Sequence, residues 1–276
     1  MPLVDTEQES AHAELTILLP YFNEAGWLGR TIDSLAVQTD ARFRIILIDN
    51  ASTDGSNREA HKHADRLGQR AQFLLVAEPG KTQALAAGLR QVRTPCIATC
   101  DADTIYPPDY VANMLALFAA YPRNVAVFAI DLYAEADAPA SLRRVIHILR
   151  KARWQPGHCH AGGYAQAFRT DVLRSAGGFD PARWPYVLED HEIASRIQRF
   201  GMVRYHPAHV CHPSERRKSR CRVSWSRFEK LVYRLTPGPA LDWYFHSFLA
   251  PRLKARGSHA QALREKSWEA PATSGA

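Results

Sequence analysis

Short apolar runs and helix-spaced apolar residues alternate along the first 130 residues of the chain. Leu15 to Leu19, Phe43 to Ile48, Phe73 to Val76, Cys96 to Thr99 and Val125 to Ala129 are continuous rather than alternating. That is the pattern of strands covered on both faces. Between them Trp27, Leu28, Ile32 and Leu35, then Ala84, Leu85, Gly88 and Leu89, then Tyr110, Met114, Leu117 and Phe118 recur at helical spacing. This order predicts an α/β fold with a Rossmann-like, mostly parallel sheet built by right-handed crossovers. Ligands of such sheets bind beyond the carboxyl ends of the strands, so chemistry is to be sought in the polar residues that follow each run.

After residue 137 the rhythm changes. Ala138 to Trp154 reads as a basic amphipathic helix, with Leu142, Val145, Ile146 and Leu149 among Arg143, Arg144, Arg150, Lys151 and Arg153. It suits a membrane surface, or packing on its own domain with its cations in water. A strand over Tyr164 to Phe168, a short helix from Thr170, a turn at Gly177-Gly178-Phe179 and a helix from Asp190 to Phe200 follow. The implied organisation is an N-terminal tail (1–13), a catalytic domain (14–212) of two halves (14–137 and 138–212), a basic aromatic helical region (213–256), and a tail (257–276) whose Ala, Ser, Glu and Lys content predicts disorder.

The 276 residues are 46% hydrophobic, enough for a sizeable core, which excludes a disordered or fibrous chain. The net charge of +7 is uneven: from Pro213 onward 13 Lys or Arg face 5 Asp or Glu, so that segment carries +8. Anionic partners are therefore expected at the C-terminal region. Five irregularly spaced cysteines and the absence of a secretory leader predict a reduced, cytoplasmic setting, with peripheral contact at the inner face of a membrane as an option. Leu231 to Leu253, broken by Arg234, Pro237, Pro239 and Asp242, does not predict a membrane span.

Each early strand ends in polar groups. Leu19-Pro20-Tyr21-Phe22-Asn23-Glu24 closes the first, Asp49-Asn50-Ala51-Ser52-Thr53-Asp54-Gly55 the second, Glu78-Pro79-Gly80-Lys81 the third and Cys100-Asp101-Ala102-Asp103 the fourth. Two carboxylates one residue apart at a strand end can share a hard divalent cation, which can neutralise a diphosphate. Singly, Ser52, Thr53 and Asp54 suit N-cap and turn roles and Lys81 suits a surface cation. Four such loops on consecutive strands are harder to assign to turn chemistry alone.

In these residues the chain resembles the inverting nucleotide-sugar glycosyltransferases of family two, which have the GT-A fold. The matching positions are Pro20-x-x-Asn23-Glu24, Asp49-Asn50-x-Ser52-x-Asp54-Gly55, Gly80-Lys81, Asp101-x-Asp103, Gly162-Gly163 with Phe168-Arg169, Gly177-Gly178-Phe179-Asp180 and Glu189-Asp190. The resemblance implies a nucleotide-sugar donor, by family habit a UDP-sugar, held by Pro20, Tyr21, Asn23, Glu24, Asp49, Asn50, Ser52, Lys81, Asp101, Ala102 and Asp103, with Asp49 accepting from the base. It implies a divalent metal, Mn2+ or Mg2+, on Asp103 with Asp101, completed by His212, with His209 as rival. It makes Asp190 the general base, Glu189 its helper, and Gly162, Gly163 and Glu189 part of the acceptor site. Asp190 also suits a plain N-cap.

Beyond His212, Ser214-Glu215-Arg216-Arg217-Lys218-x-Arg220 could close over a diphosphate as a cationic flap, or be a solvated loop. A zinc site from His158, Cys159, His160, Cys211 and His212 lacks any C-x-x-C pair. The processive Gln/Arg-x-x-Arg-Trp motif is absent, which favours single-sugar transfer. Many members have Asn where this chain has Ala86, which puts one donor-side hydrogen bond in doubt. The acceptor is left open. A nucleotidyltransferase would want a Gly-rich loop after the first strand, and Pro20 to Glu24 holds no glycine. A non-catalytic nucleotide-sugar-binding relative would have little use for Asp101, Asp103 and Asp190 together. Nucleic acid is a weaker partner for the basic C-terminus than lipid headgroups.

Overall fold

The structure, a computed structural model, describes residues 13–133, 137–216 and 225–264. Eight strands form one sheet in the order β3-β2-β1-β4-β7-β6-β8-β5. In its first half β1 (Leu15–Tyr21) lies between β2 (Phe43–Asp49) and β4 (Cys96–Thr99), β3 (Ala71–Leu75) forms the edge, and all four are parallel. Crossovers run through α1 (Leu28–Ala36), α2 (Ser56–Ala64) and α3 (Lys81–Gln91). Every residue of β1 is buried, as its unbroken apolar run requires, whereas edge strand β3 leaves Phe73 partly exposed beneath the stacked His61 ring at 3.8 Å. Helix α4 (Tyr110–Ala120) packs on β6 (Asn124–Asp131) and β8 (Met202–Pro213).

The second half departs from the crossover pattern. β7 (Gln166–Arg169) is antiparallel to both β4 and β6. β8 is parallel to β6, with register shifts, and pairs antiparallel with the short β5 (Thr104–Ile105). The reversal at β7 sets the Gly162-Gly163 turn beside the end of β4, where the Thr99 hydroxyl donates to Gly163 O at 2.5 Å. Helix α5 (Ala138–Trp154) opens on Asp137, whose carboxylate accepts from Ala140 N. Helices α6 (Thr170–Ser175) and α7 (Glu189–Ile197) complete this half, α7 ending three residues before the Phe200 expected from the sequence.

The C-terminal region holds α8 (Arg227–Leu235), a π-helical stretch (Trp243–Leu249) and α9 (Ala250–Ala255). Its aromatics make a second core, with Trp184, Val187, Tyr233, Tyr244 and Phe245 buried together immediately before α7. Residues 258–264, expected as part of a disordered tail, are instead folded back: Val187 N donates to Ser258 O at 3.2 Å, Ala260 N to Pro185 O at 2.9 Å, and Arg264 reaches Asn50. The sequence offered no signal for this, because the anchoring partners lie far upstream. The remainder of the tail, 265–276, and the expected N-terminal tail through residue 12 lie outside the described residues.

Candidate active site

The carboxyl ends of β1, β2 and β4 line a cleft whose walls are tied to each other. Asn23 adopts the left-handed φ of 52° that asparagine tolerates, and its Oδ1 accepts from Thr53 N at 2.7 Å. Asn23 N donates to Ser52 Oγ at 3.2 Å and Glu24 N to Ser56 Oγ at 2.7 Å, so the first two loops are zipped together. Asn23 and Ser52 thus act as framework. Pro20 and Tyr21 lie in β1 beside Ile48 and Asp49, and burial followed by the Asp49 charge pushes the Tyr21 phenol up. Asp49 is itself buried, one oxygen accepting from Ser52 N at 2.8 Å. Asn50 spans the loops, donating to Val76 O and Glu78 O and accepting from Gly80 N at 2.8 Å, where Gly80 takes a φ of 129° closed to other residues.

Two cations cross this cleft. Arg216 Nε donates to Asp103 Oδ2 at 2.9 Å, its Nη2 reaches Glu24, and the guanidinium lies 5.0 Å from the Trp27 ring centre. Ser214 Oγ also donates to Asp103 Oδ2. Farther along, Lys81 Nζ sits 2.7 Å from Asp101 and 3.6 Å from Glu189. Ala102 is buried, its carbonyl accepting from Thr31. Arg217, Lys218 and Arg220 of the expected flap lie outside the described residues.

The far end of the cleft is carboxylate. Leu188, with a φ of 68° that costs an L residue about 1–3 kcal/mol, turns the chain into α7 and aims Glu189 and Asp190 at the Gly162-Gly163 turn. Asp190 Oδ2 accepts from Gly163 N at 2.9 Å, and Oδ1 faces His191 Nδ1 at 3.0 Å. A Cβ on Gly163 would stand 3.1 Å from Lys81 Nζ and 3.4 Å from Asp190 Cβ, so any larger residue would crowd the lysine between the two carboxylates. A Cβ on Gly162 would meet the Tyr164 ring at 2.4 Å.

The two carboxyls diverge in acidity. Burial raises Glu189, and neighbouring Asp190 adds to this while Lys81 opposes it. Burial would raise Asp190 as well, but the charge and hydrogen bond of His191, with Lys81, hold it below the usual carboxylate range. Such divergence in adjacent carboxyls is a mark of acid–base sites.

The three candidate metal ligands are not gathered. Among the described residues no three His, Cys, Asp or Glu form a group fit for a metal ion. Asp101 turns to Lys81, and the His212 ring is anchored by its Nδ1 to Leu132 O at 2.9 Å. His209 is buried in the core, stacked on Tyr110 at 4.6 Å, and burial pushes its imidazole down to about 3. Neither of its ring nitrogens has a partner among the described residues. Asp103 fits a hard cation by its chemistry: it is a buried oxygen donor already seated on a positive charge. The zinc alternative finds no support, since His158 bonds to Tyr233 O, His160 to Gln155 O and Cys159 to Ala161 O.

Three further residues escaped the sequence. Tyr106 is buried, its hydroxyl accepting from Asp101 N at 3.1 Å and donating to Tyr164 O, which fixes the Asp101 turn. Trp225 packs edge-on to His191 at 4.6 Å, and its buried indole N–H has no partner among the described residues. Arg264 donates to Asn50 O at 3.0 Å and Asn50 Oδ1 at 3.2 Å and stacks 3.6 Å from the Phe22 ring centre. It closes the Asp49 end of the cleft from a segment more than 200 residues away. If a nucleobase enters beside Asp49, this side chain must first be displaced, so Arg264→Ala is expected to tighten UDP binding about threefold in a calorimetric titration. Weaker binding would instead make Arg264 a donor contact.

Comparison with known proteins agrees with this geometry. The model of glycosyl transferase family 2 matches residues 16–177. A glycosyltransferase of Nostoc sp. (strain PCC 7120) is 22% identical over 178 residues, which cover 62% of this chain and 55% of the relative. The dodecaprenyl-phosphate galacturonate synthase of Rhizobium johnstonii is 30% identical over 118 residues, covering 41% and 35%. The chain thus spans about half, or less, of the length of these relatives. A mannosyltransferase from Pyrobaculum calidifontis, solved with GDP-Man and Mn2+, superposes with a TM-score of 0.61 at 21% identity over 94% of this chain and 72% of its own. The family match over more than half of the sequence, on a sheet of this topology, places the chain in glycosyl transferase family 2 with the GT-A fold.

Proposed function

We propose that this protein transfers a single sugar, with inversion, from a nucleotide-sugar donor to an acceptor hydroxyl, and that the donor is a UDP-sugar. The observation that carries the reading is Lys81, which joins Asp101 at 2.7 Å to Glu189 at 3.6 Å and so sets the donor-side aspartates and the α7 carboxylates in one cleft. Asp49 accepts from the base N–H, Asn23 and Ser52 hold the loops around it, and Arg216 and Lys81 approach the diphosphate. Asp103 holds a divalent cation, Mn2+ or Mg2+, which when bound supplies neutralisation of the departing diphosphate.

At the other end Asp190 Oδ takes the proton of the acceptor hydroxyl as its oxygen bonds to the anomeric carbon. The carbon–oxygen bond to phosphate breaks, and the nucleoside diphosphate leaves with that electron pair. Gly163 N–H and His191 keep the Asp190 carboxylate ionised and oriented, Glu189 restrains Lys81, and the Trp225 indole offers a hydrogen bond to an acceptor oxygen.

Calorimetric titration tests the donor half of this reading. UDP is expected to bind at least tenfold more tightly with Mn2+ than without, and Asp103→Ala to erase the difference. GDP run in parallel decides the base. Silence from both nucleotides, with and without metal, would turn the assignment to a relative that keeps the fold without turnover.

A further inference from the structure

The outer faces of α5 and α8 combine exposed apolar side chains with cations. In α8 the apolar stripe points outward: Phe228, Leu231 and Leu235, spaced three and four apart, are 60%, 52% and 73% exposed, while Glu229 and Tyr233 face the core. This inverts the usual arrangement, in which a helix buries its apolar stripe against its own domain. On α5, Leu142, Ile146 and Trp154 are likewise exposed, Trp154 by 80%.

The two helices are neighbours, since Gln155 Nε2 at the end of α5 donates to Arg234 O at 2.8 Å. An open groove of about 1180 Å3 runs between them, with Arg153, Trp154, Arg234 and Leu235 on its rim. The C-terminal ends of α5 and α8 therefore adjoin, and with them the exposed Trp154 and Leu235, more than the scattered single exposures ordinary for a surface.

Among the described residues these two helices carry mostly positive charge outward. The 17 residues of α5 contain five Lys or Arg and no Asp or Glu, and of the five Arg144 is paired with Asp131 at 2.6 Å. Arg227, Lys230 and Arg234 project from α8, whose single acid, Glu229, is turned inward and bonded to Arg256 at 2.7 Å. Burial, then Arg234, Arg144 and Lys230, push the Lys151 ammonium below the ordinary lysine value, as crowded cations do. Nearby Asp242 is held by Arg199 at 3.0 Å.

We infer that the outer faces of α5 and α8 form a single docking surface for an anionic lipid bilayer, with the aliphatic and aromatic side chains entering the headgroup boundary and the cations contacting lipid phosphates. Cations alone would suit nucleic acid equally. Leu142, Ile146, Leu231 and Leu235 decide for lipid, because exposed aliphatic side chains gain from acyl chains and nothing from a phosphate backbone. No helix among the described residues is long and apolar enough to cross a membrane, so the contact is interfacial. The inner side of α8 meets the candidate active site, where Tyr233 packs 5.9 Å from His191. The cleft therefore stands next to the docked surface. The inference does not depend on the transferase reading.

The test is co-sedimentation of the full chain with vesicles of phosphatidylcholine alone and of phosphatidylcholine mixed with phosphatidylglycerol, at low and raised salt. Binding is expected only to the anionic vesicles and to weaken with salt. Arg143→Gln with Arg150→Gln should lower the partition coefficient about 25-fold, near fivefold for each cation. Leu231→Gln with Leu235→Gln should lower it at least as much at high salt, where the electrostatic part is screened. All four positions are exposed, and unchanged melting temperatures would confirm that the variants fold. Failure to bind anionic vesicles, equal binding to neutral ones, or tighter binding to duplex DNA that the leucine substitutions leave untouched would each overturn the inference.

Discussion

Asp190→Asn is expected to lower kcat about a thousandfold while leaving the dissociation constant of the donor nucleotide within about twofold, as removal of a general base does. The substitution keeps the shape of the side chain and the Gly163 N–H contact to Oδ. It removes the charge that, in the proposed mechanism, receives the acceptor proton. The measurement is steady-state transfer beside nucleotide titration, and equal loss in both would move Asp190 from the chemistry to the framework of α7.

Glu189→Gln separates the adjacent carboxyls. Glu189 touches Lys81, so its loss should weaken donor binding more than turnover. A larger fall in kcat for Glu189→Gln than for Asp190→Asn would exchange their roles. The pH profile adds a sign. Burial would raise the Asp190 carboxyl, and His191 holds it down, so His191→Phe should shift the acidic limb of kcat to higher pH. That limb belongs to the Glu189–Asp190 pair jointly, since the two titrate together.

The parts of this site legible in the sequence are those whose chemistry is local. Asp49, Asp101 and Asp103 follow apolar runs that become strands β2 and β4, and a strand buried on both faces has to end where polar residues begin. Helix α5 was readable from the 3.6-residue pattern of Ala138 to Trp154, and the Asp137 cap seen in the structure fixes its start. Asn23 announces its left-handed turn by residue type. Leu188 does not: the strained φ that aims Glu189 and Asp190 is imposed by packing, and leucine carries no mark of it.

Long-range pairs were invisible for a different reason. Arg216 meets Asp103 across 113 residues and Arg264 meets Asn50 across 214, and neither arginine differs locally from a solvated one. The antiparallel β7 was likewise hidden, since a four-residue strand shows no direction in its composition, yet its reversal brings Gly163 to Asp190. Strand β8 carries no clear strand signal in the sequence because His206, His209 and His212 interrupt its apolar pattern, and pairing with β6 and β5 defines it.

Arg196→Met is expected to destabilise the fold by about 3–5 kcal/mol, the usual result of stranding one member of a buried ion pair. Glu192 and Arg196 are both nearly inaccessible, with Nε 2.8 Å and 3.0 Å from the two carboxylate oxygens. The same guanidinium donates to Ala176 O and, at 2.9 Å, to Gly178 O, so it ties α7 to the glycine turn after α6. Methionine would fill the volume but leave the carbonyls unbonded and Glu192 with only His246 and Arg183, each at 3.4 Å. The loss corresponds to a fall in melting temperature of about 5–9 °C in a chain of this length.

Acid should narrow that gap. In the native protein burial would raise Glu192, but the His246 bond and Arg196 hold it below the ordinary glutamate value. Its contribution is therefore present above the unfolded pKa and is lost as pH falls through the folded one. In Arg196→Met the burial and the His246 bond remain while the charge and bond of Arg196 are gone, so the folded pKa rises and acidification costs the variant less than the native protein. Melting temperatures of the two proteins should thus converge between neutral pH and about pH 4, near the unfolded glutamate pKa. A difference constant across that range would assign the loss to the severed carbonyl bonds, and the base helix would then be held to the Gly177-Gly178 turn by hydrogen bonds more than by charge.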